Sequence, residues 1–287
     1  MTILSKYKEI LSEPSQIIDE VLVSDELKEN AIVYLAGSLA EGFGNVNSDI
    51  DIYCLLPSDD WEKLLDNKRN DSRGLKIFGE NNLIHNIYLD EYRVDIEFWN
   101  IEYVNKIISK LNSFDVNAEQ YTTRFNKDDL DFLHRMKYGK CIYNNNLFIQ
   151  LYEEVNFMNL GFYQVIVGSE YFGSYLEDIE GAIDAEDFGT TFVIGKMLLE
   201  ISISNFLFSV QETNPSPKWL YRKIQRYEEK VNDFDISEKF WAYQNFNRYE
   251  DNILTHTMAL IDFCTLTNNK AQENLVKYQR GINHVSK

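Results

Sequence analysis

The sequence predicts a small mixed sheet with flanking helices, an α/β (α+β) domain over residues 1–143, followed by an all-α helical bundle over residues 144–287. Three observations carry this. The β-rich runs AIVYLA (31–36), DIDIYCLL (49–56), LIHNIYL (83–89) and YRVDIEFW (92–99) all fall in the first hundred residues. From about residue 101 onward the apolar positions recur at helical spacing almost without interruption. The chain has 287 residues, 44% of them hydrophobic and 14% aromatic, enough for two domains with cores of their own and too apolar for disorder.

Residues 3–30 read as helical, with Ile10, Leu11, Ile17, Ile18, Val21 and Leu22 near one face and Pro14 breaking the run in two. AIVYLA is a short buried strand that stops at Gly37-Ser38. LAEGFGNVNS is a glycine-containing connection with room for one helical turn. DIDIYCLL alternates acid with apolar and reads as a second strand. DDWEKLLDN (59–67) reads as a short helix capped by Ser58 or Asp59. The runs 83–89 and 92–99 are separated by Asp90-Glu91 alone, which predicts a tight hairpin. Helices are then expected near 102–112, 127–138, 147–178, 187–211, 216–231, 237–247 and 250–267.

The chain carries 28 basic and 46 acidic residues, a net charge of −18. A field of that sign repels phosphate backbones and disfavours a general nucleic-acid binder, while it favours a cationic small substrate. Only a local basic patch, as for tRNA, would escape that argument. Cys54, Cys141 and Cys264 lie far apart, with no Cys/His metal spacing, so neither a zinc site nor a disulfide framework is expected and a reducing cytoplasm fits. The N-terminal residues show no apolar leader core. The most apolar stretch, Phe192–Val210, contains Lys196 and Glu200 and reads as a buried helix and not a membrane span. His85, His134, His256 and His284 show no metal spacing, and no P-loop, GxGxxG or Ser/His/Asp elbow is present.

The strongest chemical signal is Gly37-Ser38, ten residues, then Asp49-Ile50-Asp51-Ile52. Side chains alternate along a strand, so Asp49 and Asp51 share one face while Ile50 and Ile52 enter the core. The strand 92–99 repeats the pattern, with Val94, Ile96 and Phe98 on one face and Arg93, Asp95, Glu97 and Trp99 on the other. If the two strands are neighbours, Asp95 joins Asp49 and Asp51. Three crowded carboxylates repel one another unless a divalent cation neutralises them, and Mg²⁺ combines a few carboxylates with substrate phosphates. Glycine at 37 lets backbone approach a phosphate, a helix start there would offer N–H donors, and Ser38 adds a hydroxyl.

LAGSLAEGFGNVNSDIDIYCLL, together with the later VDIE, resembles the signature of the polymerase-beta-like nucleotidyltransferase superfamily. The resemblance implies that Asp49, Asp51 and Asp95 hold two Mg²⁺ ions, with Mn²⁺ an alternative, and that Asp95 also helps deprotonate an acceptor hydroxyl. It makes Gly37, Ser38 and Ser48 nucleotide contacts. Glu97 competes with Asp95 for the third acidic role. Glu41 and Asn45 depart from the pattern, since many members carry a basic residue in that spacer.

Two later stretches, FLHRMKYGKCIYNN (132–145) and NPSPKWLYRKIQRY (214–227), resemble segments of antibiotic-modifying, aminoglycoside-type members. In the second, Ser216 can cap and Pro217 can open a helix, and Lys218, Arg222 and Arg226 recur every four residues. Lys218 in this stretch and Lys196 in the apolar 192–210 helix are the candidates for holding a triphosphate. His134, Arg135, Lys137 and Lys140 form a second basic group. The resemblance implies transfer of a nucleoside monophosphate, AMP from ATP, to a hydroxyl of a small acceptor with pyrophosphate release. A protein or tRNA acceptor, and a catalytically inactive relative, stay open as alternatives. The oligomeric state is not legible.

Overall fold

The structure, a computed structural model, describes residues 2–22, 28–57, 74–79, 81–118, 123–231, 235–245 and 252–281. The helix expected over 59–67 lies outside the described residues. The chain divides into two compact units. The first comprises residues 1–113 and 128–156, the second residues 114–127 and 157–287.

In the first unit the order is α1 (Ile3–Ser12), α2 (Ser15–Val21), β1 (Ile32–Ala36), α3 (Gly37–Ala40), β2 (Ile50–Leu56), β3 (Leu75–Phe78), β4 (Asn82–Leu89), β5 (Tyr92–Asn100), α4 (Ile101–Asn112), α5 (Lys127–Lys137), β6 (Lys140–Tyr143) and α6 (Asn145–Glu154). Pro14 separates α1 from α2, as a ring that cannot donate a backbone N–H should. The strands form one sheet in the order β3-β4-β5-β2-β1-β6. The pairing of β2 with β5 is parallel and the others are antiparallel. The hairpin expected at Asp90-Glu91 is present, with Leu89 opposite Tyr92 and Asp90 at φ +55°.

Alternation sorts the sheet into two faces. Ile50, Ile52, Cys54, Val94, Ile96 and Phe98 are fully buried and pack with Ile3, Ile10, Ile17 and Val21 of the first two helices. The apolar periods of α1 and α2 therefore find the apolar face of β2 and β5. The opposite face is mixed. Toward one end it carries rings: Trp99 lies 4.6 Å from Phe132 of α5, and Tyr34 lies 5.1 Å from Phe148 of α6, centroid to centroid. Toward the other end it carries carboxylates. Aromatic cover on one half and acids on the other leave a half-open sheet face, and the site sits on that open half.

Several expectations are revised. β3 and β6 are four-residue strands at the two sheet edges, too short for a period to register in sequence. The single helix expected over 147–178 is two, α6 and, in the second unit, α7 (Phe157–Asp184). Val155 turns extended at ψ 119°, and the Asn156 N–H goes to the Asn112 side chain. Phe148 seats α6 on Tyr34 within the sheet unit, while residues 114–127 fall in the second, so the division is not a single cut at 143/144.

The second unit holds α7, α8 (Phe188–Ser209), a 3₁₀ turn (Pro217–Trp219), α9 (Leu220–Lys230), α10 (Ile236–Gln244) and α11 (Ile253–Gln279). Helix α8 is long and apolar enough to cross a membrane by length and composition, with 56% of its apolar window buried inside the structure. Leu198, Leu199, Ile203 and Leu207 are fully buried, and Asn205 bonds Asn268 of α11 at 3.0 Å, so α8 is an interior helix of this unit. The helix expected over 250–267 continues to Gln279 as α11.

Phe132 tests how α5 is attached. Its ring meets Trp99 and Tyr53 and is 1% exposed. Phe132→Ala should cost about 3–5 kcal/mol of stability, as other buried aromatic truncations do. Chemical denaturation followed by near-UV circular dichroism measures it, and a loss below about 1 kcal/mol would show that this ring does not dock the helix.

Candidate active site

Register builds the site. In the parallel pair, Asp51 stands beside Asp95, and in the flanking antiparallel pairs Ala36 stands beside Asp51 and Asn86 beside Asp95. One row thus reads Ala36, Asp51, Asp95, Asn86 across β1, β2, β5 and β4. The next row on the same face reads Tyr34, Tyr53, Glu97, Ile84. Asp49 lies two residues before Asp51, immediately before β2 begins. The small side chain of Ala36 leaves the first row open above β1, whereas Tyr34 and Tyr53 stack at 5.2 Å and close the second.

The turn after β1 fits against this row. Gly37 sits at φ +72°, and a Cβ there would fall 1.8 Å from Asp51 Oδ2. A side chain at 37 would displace the carboxylate, so glycine is needed both for its backbone and for its emptiness. The Ser38 carbonyl accepts from the N–H groups of Phe43 and Gly44 at 2.8 and 2.9 Å. Across the loop Ser38 Oγ donates to Ser48 Oγ at 3.4 Å, and the Asn45 N–H donates to Ser48 Oγ at 2.8 Å. Ser38 and Ser48, ten residues apart, close the loop beside Asp49.

Helix α5 holds both the loop and the acids. His134, fully buried, bonds Glu41 of the loop at 2.8 Å. Burial pushes the His134 imidazole below its usual range, against the pull of Glu41, so the neutral ring donates its Nε2 proton to the carboxylate. Its neighbour Arg135 places Nη1 3.1 Å from Asp51 Oδ1, an ion contact without hydrogen-bond alignment, and Nε 2.6 Å from Asp131. The guanidinium lies over the Tyr53 ring, 5.7 Å from its centroid. The spacer that lacks a basic residue thus uses its acid, Glu41, to fasten the loop to a helix that supplies the cation.

A second arginine closes the other side. Arg93 forks onto Asp95, Nε to Oδ1 at 2.9 Å and Nη2 to Oδ2 at 2.8 Å, and its Nη2 stands 3.9 Å from Asp49 Oδ2. Asn86 Nδ2 also donates to Asp95 Oδ1, at 2.6 Å. Glu97, the competitor for the third acidic role, is engaged elsewhere. It accepts from the Tyr53 hydroxyl and from Trp99 Nε1, and burial raises its carboxyl above the usual range. That favours Asp95 over Glu97 as the acid at the open end.

Asp51 is the strained member. Its side chain is 13% exposed. Burial, with Asp49, Glu97 and Asp95 adding to it and Arg135 opposing, pushes its carboxyl up to about 7. A row that tends to keep a proton at neutral pH is short of positive charge. Hard carboxylate oxygens on adjacent strands suit a divalent cation, and the places where Arg93 and Arg135 reach in mark where that charge is wanted. Among the described residues no three acid, His or Cys side chains converge on one point as they stand. The carboxylates of Asp51 and Asp95 are of the chemical kind a divalent cation takes, and the Arg93 guanidinium stands on Asp95.

The structure brings together Gly37, Ser38, Ser48, Asp49, Asp51 and Asp95. Lys196 and Lys218 belong to the second unit. The Lys196 ammonium, expected to reach a phosphate, gives its protons to the Tyr243 and Gln244 carbonyls at 2.7 and 2.8 Å and to Gln244 Oε1 at 3.1 Å, fastening the end of α10 to α8. Lys218 is exposed and lies over Trp219 in the 3₁₀ turn, and Ser216 makes no side-chain cap there. Arg226, from the same basic stripe, is paired with Glu212, which also holds Lys230 at 3.1 Å. Sequence reasoning gave no site role to Arg93, Asn86 or Glu41. The signal for Arg93 was its place two residues before Asp95, on the same strand face.

Residues 6–122 match the family described as a nucleotidyltransferase domain. That match agrees with the resemblance of this stretch to the polymerase-beta-like nucleotidyltransferase superfamily. Among solved structures it is similar to a nucleotidyltransferase-like protein from Exiguobacterium sibiricum 255-15, at 9% identity and TM-score 0.48, over 95% of this chain and 79% of that one. It is also similar to a chain of the GLD-2/RNP-8 complex, at 11% identity and TM-score 0.27, over 91% of this chain and 76% of that one. No curated protein matches.

The raised Asp51 carboxyl has a measurable consequence. Its folded-state value lies above the unfolded one, so protonation favours the folded chain, and the stability it contributes is lost as pH rises through about 7. Asp51→Asn should therefore raise the melting temperature of the metal-free protein at pH 8, and the gap should narrow as the pH falls toward about 4. Thermal melts across that range check it. Equal melting temperatures at every pH would show that Asp51 is not strained.

Proposed function

We propose that the protein transfers a nucleoside monophosphate, AMP from ATP, to a hydroxyl of a small acceptor and releases pyrophosphate. The observation that carries this reading is the register of the parallel pair. It sets Asp51 beside Asp95, with Asp49 next to them and the Gly37 turn packed against the Asp51 carboxylate.

Asp49, Asp51 and Asp95 would hold two Mg²⁺ ions, for which Mn²⁺ can substitute. Bound there, the metal would supply charge neutralisation for the triphosphate and activation of the acceptor oxygen. The chain's own residues do the rest. The loop closed by Ser38 and Ser48 presents hydroxyls and the unencumbered backbone of Gly37 to the phosphates. Asp95 stands at the open end, where it can take a proton from an acceptor hydroxyl. Arg135, held by Asp131 and the Tyr53 ring, keeps one cation beside Asp51. The net charge of −18 favours a cationic acceptor over an anionic one. Three cysteines, all free, suit a cytoplasmic setting.

The test uses each α-labelled nucleoside triphosphate with Mg²⁺ and a panel of acceptors comprising aminoglycosides, tRNA and protein. Pyrophosphate release and label transfer are followed. Label should move from ATP to a small cationic acceptor, and Asp49→Ala, Asp51→Ala and Asp95→Ala should each abolish transfer while the protein stays folded. Transfer at the wild-type rate in any of the three would sink the assignment, and transfer to tRNA or protein alone would redirect the acceptor.

A further inference from the structure

We propose that Arg93 is a displaceable counter-ion of the acidic row. It holds Asp95 and Asp49 together in the metal-free protein and must swing out before a divalent cation can bind, so it sets the metal affinity of the site. This rests on the metal-dependent reading above.

The two arginines at the row differ in how they are held. Arg135 is 22% exposed, packed on Tyr53 and tied to both Asp51 and Asp131. Arg93 is 52% exposed, with both prongs of its fork on Asp95, an outer contact to Asp49 and the Tyr88 side chain within electrostatic reach. It is the second residue of β5, next to the 90–91 turn, where its stem has water on one side. A half-exposed guanidinium leaves its partner at little desolvation cost, because water takes over its hydrogen bonds. Arg135 has no such exit.

The fork also fills the space that matters. Both Asp95 oxygens are occupied by Arg93, and Oδ1 additionally by Asn86. A divalent ion needs at least one of those oxygens, and it would meet a like charge if the guanidinium stayed. Metal and Arg93 therefore compete for one carboxylate. The swap is electrostatically favourable in the forward direction, since a double charge replaces a single one beside Asp49, Asp51 and Asp95. It is incomplete without Arg93's departure, since both Asp95 oxygens accept from its fork. The device has a use: carboxylates that would repel one another are kept in register until metal arrives.

Titration of Mn²⁺ without nucleotide, read by electron paramagnetic resonance of the free ion, tests this on wild type, Arg93→Gln and Arg93→Lys. Arg93→Gln should bind Mn²⁺ about fivefold tighter or better, as loss of a competing charge-assisted fork predicts, and Arg93→Lys, which keeps the charge without the fork, should fall between. In the metal-free state Arg93→Gln should melt lower than wild type, and Mn²⁺ should raise its melting temperature by more. A purely structural role for Arg93 would lower the melting temperature and leave the Mn²⁺ affinity unchanged, and that result overturns the inference, as does weaker binding by Arg93→Gln. If wild type and both variants all fail to bind Mn²⁺, the metal-dependent reading falls with it. Equal binding by wild type and Arg93→Gln removes only the role of Arg93.

Discussion

The site depends on one backbone pairing, the parallel ladder between β2 and β5. Its register places Asp51 beside Asp95, and a slip of one residue would send one of the two into the apolar face. The core enforces that register. Ile50, Ile52, Val94, Ile96 and Phe98 alternate with the acids and are all fully buried against α1 and α2. A slip would carry those side chains out of the core, at roughly 1.5–3 kcal/mol for each. Hydrophobic burial on one side of the sheet thereby holds charges on the other side where electrostatics alone would push them apart.

Electrostatics then grades the open face. Toward the covered end, Glu97 is screened by Tyr53, Trp99 and Phe132 and is satisfied by hydrogen bonds from two of them. At the middle, Asp51 is buried and only partly balanced by Arg135. At the mouth, Asp49 and Asp95 meet a half-exposed arginine. Each step outward exchanges fixed protein partners for more replaceable ones. Helix α5 connects this gradient to the loop after β1, because consecutive residues, His134 and Arg135, reach Glu41 of the loop and Asp51 of the strand.

Much of this was legible in the sequence. Alternation in DIDIYCLL and YRVDIEFW gave the faces, the two-residue gap at 90–91 gave the hairpin, and Gly37-Ser38 with its spacing to Asp49 gave the loop. These signals are local, with periods of two and short turns. The edge strands β3 and β6 were missed because four residues carry no reliable period. The break at 155–156 was missed because Val155 is not a helix breaker, and it turns extended where Asn156 bonds Asn112, a contact 44 residues away in sequence. The role of Glu41 was illegible for the same reason, since its partner His134 lies 93 residues on. The basic residues of the second unit were read from spacing without their partners. The Lys218–Arg226 stripe looked available, yet Arg226 is committed to Glu212. Arg93, which forks onto Asp95, was placed on the acidic face by the alternation of the strand but given no role there.

The most direct measurement is a crystal structure after a soak with Mn²⁺ and a non-hydrolysable ATP analogue, using the anomalous signal of the metal. The account predicts metal bound by Asp51, Asp95 and Asp49, phosphates against Gly37 and Ser38, and Arg93 turned away from Asp95. Anomalous peaks elsewhere, with the Arg93 fork still closed on Asp95, would contradict it.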